Sequence, residues 1–473
     1  MKKIILFGAG FYGKNAYYKL KNQFEILFFA DNNPALDGTE LFGIQVIAGK
    51  KLKEIYSSGV DIIICSGSHF QISAQLIEMG ITEYYVMLEG FLYHNSDKET
   101  MIPVELNNYS YYRKEKKEKN ILYMQDTACI RTHKIASMMK DEGYKVYLLY
   151  TMAPPESNNE SYAGIYSGIF SFSSMGGIID FIENSDFDII HSSNAPDILT
   201  NIALKTSKHV VFDTHDMNSL WGHDSIENLA LEYVANTQSD GNIYTSTGVV
   251  EIAKQKYGLE QKEIFSLENM ILDQEEIKDS YEKLSDIDHE IHCVYEGGMN
   301  GTDKASDRFF EPLWEKITEC GIHIHFYSQA DPVYCRKLDG KSEYLHYEGN
   351  MESKKLVREM TKYDCGLAIF QVTEQNRNFL ETGTANKVYE YINSQIPVVV
   401  SELESYINFV EQYNVGINLD FSKDIKEQIK GACQIKISPD FLRSNHLTMK
   451  SRQKELADFY ERVKKREVFR RKL

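Results

Sequence analysis

The sequence predicts an α/β protein made of three parallel-sheet modules, and three observations carry that reading. Short apolar runs alternate with helical patterns along most of the chain, which is the signature of βαβ units. A run of seven charged residues, Arg113-Lys114-Glu115-Lys116-Lys117-Glu118-Lys119, interrupts the rhythm. The length of 473 residues suits about three domains, each large enough to bury its own core.

The first module alternates Ile4-Ile5-Leu6-Phe7, a helix near Gly13 to Lys21, Phe24 to Phe29 and Val60-Asp61-Ile62-Ile63-Ile64. We assign it residues 1–105, and read residues 106–119 as a solvated charged linker. A second series begins at Asn120-Ile121-Leu122-Tyr123-Met124 and continues through Lys145 to Leu149, Phe187 to His191, His209 to Asp213 and Gly241 to Thr245, giving a lobe over residues 120–280. The third runs from Ile291-His292-Cys293-Val294-Tyr295 through Ile322 to Tyr327, Tyr344 to Tyr347, Cys365 to Phe370 and Ile396 to Val400, and occupies residues 281–440. A helix from about Asp440 to Arg470 and a basic tail close the chain over residues 441–473.

Composition excludes several classes. Lys plus Arg number 52 against 69 Asp plus Glu, a net charge of −17, which disfavours nucleic acid as a partner. The seven cysteines form no CxxC pair and no Cys/His cluster in sequence, so neither a zinc site nor a disulfide framework is expected, and the thiols fit a reducing compartment. Ile4 to Gly8 is too short for the apolar core of a signal peptide. Ser161 to Ile179, the longest uncharged stretch, is too rich in Ser and Gly to span a membrane. The expectation is a soluble cytoplasmic protein.

Gly8-Ala9-Gly10-Phe11-Tyr12-Gly13 is a GxGxxG between a strand and a helix, and Asp31 ends the next strand. Gly8, Gly10 and Gly13 would allow a tight turn and close approach of a pyrophosphate to the helix N-terminus, while Asp31 would accept a ribose hydroxyl. The same loop also serves packing alone, so a nucleotide at this module and an empty structural turn both stand. The stretch from Lys2 to Tyr93, with Asp31-Asn32-Asn33-Pro34 and Gly43 before Val46, resembles the small lobe at the front of bacterial sugar O-acyltransferases. The β-helix repeat of those enzymes does not follow, so acyl transfer is not implied.

In the last lobe stands Asn386-Lys387-Val388-Tyr389-Glu390-Tyr391-Ile392-Asn393, then Ile396-Pro397-Val398-Val399-Val400-Ser401. Lys387 and Glu390 are three apart on one helical face. An isolated KxxE would be an ordinary surface helix; this one lies just before a buried strand and after Asp364-Cys365-Gly366-Leu367-Ala368-Ile369-Phe370. On these motifs residues 120–473 resemble the GT-B glycosyltransferases, and most closely family 4, in which two Rossmann-like lobes hold a nucleotide sugar between them.

The resemblance implies that Lys387 meets the donor diphosphate and Glu390 the ribose. It places the glycine turn Gly297 and Gly298 against the diphosphate and Lys304 or Arg308 as a further phosphate ligand. Family members often carry a second glutamate eight residues before Glu390. Here that position is Thr382, with Glu381 one residue away, so the chain resembles the branch that keeps only Lys-x-x-Glu-Tyr.

In the first lobe, Asp126 to Arg131 follows the first strand. Arg131 could pair with phosphate, although an Arg at a helix start is more often solvated or salt-bridged. Phe212-Asp213-Thr214-His215-Asp216 brings an imidazole and carboxylates to a strand end that commonly meets ligand. His215 resembles the histidine that touches the transferred sugar, and Asp216 stands beside it as the other expected catalytic residue. His191, Ser192 and Asn194 at the same edge fit acceptor contact and a polar turn equally.

The implied activity is a retaining hexosyl transfer from a UDP- or GDP-type donor to a cell-surface glycan or lipid-linked acceptor, with no metal and no further cofactor required. Two rivals remain: a non-catalytic nucleotide-sugar sensor or scaffold, and an NAD-dependent oxidoreductase built on Gly8 to Gly13. Arg462, Lys464, Lys465, Arg466, Arg470, Arg471 and Lys472 make the C-terminus basic. That pattern fits either a solvated helix end or peripheral attachment at the inner membrane face.

Overall fold

The computed structural model describes residues 1–57, 59–95, 110–154, 160–194, 196–222, 225–274, 277 and 279–468. Of the basic tail, Arg470, Arg471 and Lys472 lie outside the described residues, as do residues 96–109.

The N-terminal module contains β1 (Lys2–Phe7), β2 (Phe24–Asp31), β3 (Glu40–Leu41), β4 (Ile44–Ala48), β5 (Val60–Ile64), β6 (Tyr85–Leu88) and β7 (Phe91–His94), in the order β3-β4-β2-β1-β5-β6-β7. Its central pairs are parallel, and the antiparallel β3 and β7 close its edges. Ile4 and Leu6 face one buried side of the sheet and Ile5 and Phe7 the other, as a strand covered on both faces requires.

The first large lobe contains β8 (Asn120–Thr127), β9 (Lys145–Ala153), β10 (Gly168–Ser171), β11 (Ile189–Ser193), β12 (His209–Thr214), β13 (Gly241–Tyr244) and β14 (Glu263–Ser266), all parallel in the order β10-β9-β8-β11-β12-β13-β14. The second contains β15 (Ile291–Glu296), β16 (Ile322–Tyr327), β17 (Leu345–Gly349), β18 (Cys365–Ala368), β19 (Val398–Val400) and β20 (Gly416–Asn418), parallel in the order β17-β16-β15-β18-β19-β20. Both are doubly wound sheets whose strand order reverses beside the first strand. Ligands of such sheets bind outside the carboxyl ends at that reversal.

The lobes share one apolar cluster, in which Ile135 and Leu267 of the first meet Val388 and Tyr389 of the second. The chain leaves the first lobe near Leu267 and returns at its end: the Met449 and Lys450 amides donate to the Ile271 and Leu272 carbonyls at 2.9 and 3.0 Å. The final helix, Gln453–Lys464, then packs on β14 with Leu456, Phe459, Tyr460 and Val463 buried. Gly241 is the notch that receives it, since a Cβ there would stand 2.6 Å from Val463 and 2.9 Å from Phe459. Three cations of the basic end are thereby paired: Arg462 with Glu263 at 3.0 Å, Lys464 with Asp188 at 3.8 Å and Arg466 with Glu263 at 3.8 Å. Val463 lies in the core.

Two stretches are more closely tied to the first lobe than the sequence suggests. In the charged run, Lys114 pairs with Asp188 at 2.6 Å, Glu118 with Lys145 at 2.8 Å and Lys119 with Glu461 at 3.0 Å, while Tyr112 stacks on Phe187. The N-terminal module docks through its first helix, Phe11–Leu20. The buried Lys19 ammonium donates to the Gly90 and Phe172 carbonyls, each at 2.7 Å, and to the Thr151 carbonyl. Phe91 completes the same contact by joining the apolar cluster of the first lobe.

Candidate active site

A cleft of about 570 Å³ opens between the carboxyl edges of the two large sheets. Of the residues singled out in sequence, His215 and Asp216 line it from the first lobe, and Gly297, Gly298, Arg308, Lys387 and Glu390 from the second.

On the second-lobe side, β15 ends at Glu296 and turns through Gly297, whose φ of 127° only glycine adopts readily. The bare turn lets two cations close in: a Cβ on Gly297 would lie 3.3 Å from Lys387 Nζ, and one on Gly298 only 2.6 Å from Arg308. The helix Asn386–Asn393 begins at the cleft without a side-chain cap and presents Lys387 there, at the positive end of its dipole. Behind it, Tyr391 fills the space left by Gly366, where a Cβ would meet the ring at 2.2 Å. The Lys387 ammonium stands 3.9 Å from the centre of the Tyr295 ring. Burial lowers its pKa to about 8, against the opposing pull of Glu296 and Glu390.

Glu296, which also lines the cleft, is a residue that the sequence reading did not assign. Burial first, then the charge of and a hydrogen bond with Glu390, hold its carboxyl well above the usual carboxylate range. Glu296 and Glu390 thus stand side by side in the cleft lining, with the Glu296 proton held more tightly than that of an ordinary carboxyl.

On the first-lobe side, β12 ends in Asp213, Thr214 and then His215. The imidazole is clamped: Nε2 lies 3.1 Å from Asp213 Oδ2, Nδ1 lies 3.4 Å from Cys129 Sγ, and the backbone amide donates to Asn194 Oδ1 at 2.6 Å. Cys129 precedes the helix Ile130–Asp141 and neighbours Ile130, which lines the cleft. Burial works to raise the Cys129 thiol, but the charge and hydrogen bond of His215 bring it down to about 6. Burial likewise works against a charged His215, yet the thiolate and Asp213 raise its pKa to about 10. The pair is therefore a thiolate against an imidazolium. Burial raises Asp216, offset by the charges on His215, Arg308 and Arg131.

Other expected residues fall elsewhere. Arg131 is buried, and its guanidinium is spent on Asp213 at 2.9 and 3.1 Å and on Leu267 O and Asn269 Oδ1 at 2.7 Å each. It braces the acid behind His215 instead of lining the cleft. Lys304 is exposed and outside the lining, and its carbonyl accepts from the Gln371 side-chain amide at 3.1 Å. Thr382 lines the cleft while Glu381 pairs with Arg377 at 2.9 Å. His191, Ser192 and Asn194 are buried supports: His191 bridges Tyr460 Oη at 2.7 Å and Asp213 at 3.3 Å.

At the N-terminal loop, packing accounts for two glycines. A Cβ on Gly8 would lie 2.2 Å from the Cys65 carbonyl oxygen and one on Gly13 1.8 Å from that of Gly8, whereas Gly10 faces open space. The Asp31 carboxylate accepts the Ala9 and Asn33 amides, each at 2.8 Å, so it closes the loop on itself.

Residues 311–437 match the family model described as Glucosyltransferase 3-like, C-terminal domain, and residues 1–87 match that described as C2185-like, N-terminal. No curated protein matches the chain. Among solved structures, a glycosyltransferase from Rickettsia africae ESF-5 is similar at a TM-score of 0.51 and 11% identity, covering 74% of this chain and 100% of that one. Anabaena Alr3699/HepE, in complex with UDP-glucose, is similar at a TM-score of 0.50 and 11% identity, covering 73% of this chain and 98% of that one. At such identities the likeness is one of fold: two Rossmann-like lobes in the GT-B glycosyltransferase arrangement.

Proposed function

We propose that the chain is a glycosyltransferase that takes a hexosyl group from a nucleotide sugar held in the interlobe cleft, with UDP-glucose as the first donor to test. The observation that carries this reading is the convergence of Lys387, Arg308 and the bare Gly297-Gly298 turn at the strand reversal of the second lobe, opposite His215. Two cations, helix amides and a turn without side chains are what a diphosphate needs. The glucosyltransferase 3-like match over residues 311–437 and the UDP-glucose carried by the Anabaena protein support the choice of donor.

In this reading Lys387 and Arg308 neutralise the charge that grows on the departing diphosphate, Glu390 holds the ribose, and His215 with Asp216 orients the sugar. Transfer with retention follows if the acceptor hydroxyl attacks from the face the phosphate leaves and gives its proton to that phosphate. No protein nucleophile is then needed. The acceptor is a glycan or lipid-linked saccharide. Attachment to an anionic membrane would rest on Lys465, Arg470, Arg471 and Lys472, since the other three tail cations are paired within the fold. Loss of co-sedimentation with anionic liposomes when these four become Gln supports that attachment, and unchanged sedimentation removes it.

The deciding experiment is a thermal-shift and calorimetric screen of UDP, GDP, CMP and dTDP, followed by donor hydrolysis with UDP-glucose. A cognate nucleotide at 100 times its dissociation constant adds about 2.7 kcal/mol of stability. Binding without hydrolysis or transfer would leave the sensor reading; no binding by any of the four would remove both. A second equivalent of nucleotide in the same titration would assign one to the Gly8–Gly13 loop.

A further inference from the structure

Four of the thirteen histidines meet on one face of the second lobe, outside the cleft. His292 is the second residue of β15, His323 and His325 are the second and fourth of β16, and His346 is the second of β17. Register sets His292 opposite His323 and His325 opposite His346. The rings stack: His292 on His323 with centroids 4.5 Å apart, and His325 on His346 at 4.4 Å. Asp288, at the end of the helix Leu284–Asp288, approaches the outer end of the group, and Glu290 and Glu348 flank it.

The hydrogen bonds fix where the lone pairs lie. His325 Nδ1 is 2.7 Å from a Glu348 carboxylate oxygen, which only accepts, so Nδ1 carries the proton and Nε2 keeps the lone pair. His292 Nδ1, 2.9 Å from that Nε2, then donates, which leaves the lone pair of His292 on its own Nε2. That lone pair faces the Asp288 carboxylate at 2.9 and 3.2 Å. Two acceptors in contact call for a cation between them. A proton would need His292 and Asp288 alone, but one ligand atom each from Asp288, His292 and His323 lie within 4.8 Å of one another; His323, whose Nδ1 lies 2.8 Å from His346 Nε2 and whose Nε2 meets the Glu290 carboxylate, would give up one of these partners to the ion.

We propose that Asp288, His292 and His323 bind one divalent transition-metal ion of the zinc class, with solvent completing its coordination. The centre of a triangle of that size lies about 2.8 Å from each corner, so an inward shift of roughly 0.7 Å reaches the zinc–nitrogen distance. Two imidazoles and a carboxylate suit zinc, nickel or cobalt, and not magnesium or calcium. The relay from His292 through His325 to Glu348 is the support that ligating imidazoles receive from their other nitrogen. The site stands about 13 Å along β15 from Glu296, so it lies outside the transfer site. Its effect is to bolt the helix Leu284–Asp288, where the chain enters the second lobe, to β15 and β16. The proposal is independent of the donor reading.

The test uses the full chain, stripped by a chelator, titrated with ZnCl2 by calorimetry and with Co2+ by visible absorption. One equivalent is expected, with a rise in thermal midpoint on loading. Asp288→Asn and His323→Gln should each weaken binding at least tenfold, and Glu348→Gln, acting through His325, by about 10- to 100-fold. UDP binding should be unchanged in Asp288→Asn, whose exposed position spares the core. Failure to bind one equivalent, or equal affinity in Asp288→Asn and His323→Gln, would overturn the site and leave a shared proton between His292 and Asp288.

Discussion

The sulfur of Cys129 lies 3.4 Å from Nδ1 of His215, and Nε2 of the same ring lies 3.1 Å from Asp213, so a thiol, an imidazole and a buried carboxylate stand in line at the edge of the cleft. The pair ties the loop after β8 to the loop after β12, and it makes the thiol the most acidic cysteine with a resolved shift.

Cys129 should therefore react early with iodoacetamide. Its thiolate displaces iodide, and the labelling rate should rise with pH around a midpoint near 6, the thiolate prevailing above it. In His215→Asn that midpoint should move towards the ordinary thiol value of about 8.5. Peptide mass spectrometry across pH checks both; identical profiles in the two proteins would sever the pair.

Lys387→Ala and Glu390→Ala should each lower kcat/KM for the donor at least tenfold, since a lost charged hydrogen bond costs about 1.5–3 kcal/mol. Because burial lowers the Lys387 pKa to about 8, its cation is complete below that value and lost above it. Donor kcat/KM should accordingly fall on the alkaline side of about 8. Unchanged kinetics in both variants would remove the donor assignment.

Arg131→Met should act on stability before it acts on the donor. It strips the partner from a fully buried Asp213, and breaking such a pair costs about 3–5 kcal/mol. Burial works to raise the Asp213 carboxyl, but Arg131, His215 and His191 hold it well below the usual value. Its contribution is thus complete above the unfolded value of about 3.9 and drains away as pH falls towards the folded value. Denaturant titrations at neutral and acid pH measure this: the gap between Arg131→Met and the parent should narrow in acid.

Lys19→Ala should loosen the N-terminal module, because three buried carbonyls lose their donor, at about 1–3 kcal/mol each. Calorimetry should show the module melting earlier than the lobes. A single unchanged transition would mean that the Phe91 contact suffices.

The three-module order and the parallel sheets were legible because each strand reads as an apolar run, and both sides of a parallel sheet are covered. Lys387, Arg308 and the Gly297-Gly298 turn were legible as cleft residues because each belongs to a short local motif beside a strand end. Arg131 misled because its helix-start position fits phosphate, while its actual partners, Asp213, Leu267 and Asn269, lie 82 to 138 residues away. Cys129 and Glu296 gain their character from neighbours just as remote, and no spacing announces them. The histidine cluster is intermediate: His323-Ile-His325 shows as a same-face pair, but register alone brings His292 and His346 to it.

The final helix also sets an order of events during synthesis. The notch at Gly241 and the apolar strip on β14 belong to the first lobe, yet the residues that fill them, Phe459 and Val463, are made only after the whole second lobe. At about 5–20 residues per second, the ribosome needs roughly 10 to 40 s to pass from Leu267 to Gln453. Through that interval the first lobe waits with part of its core open, and a chain that stops before Phe459 would leave the gap unfilled.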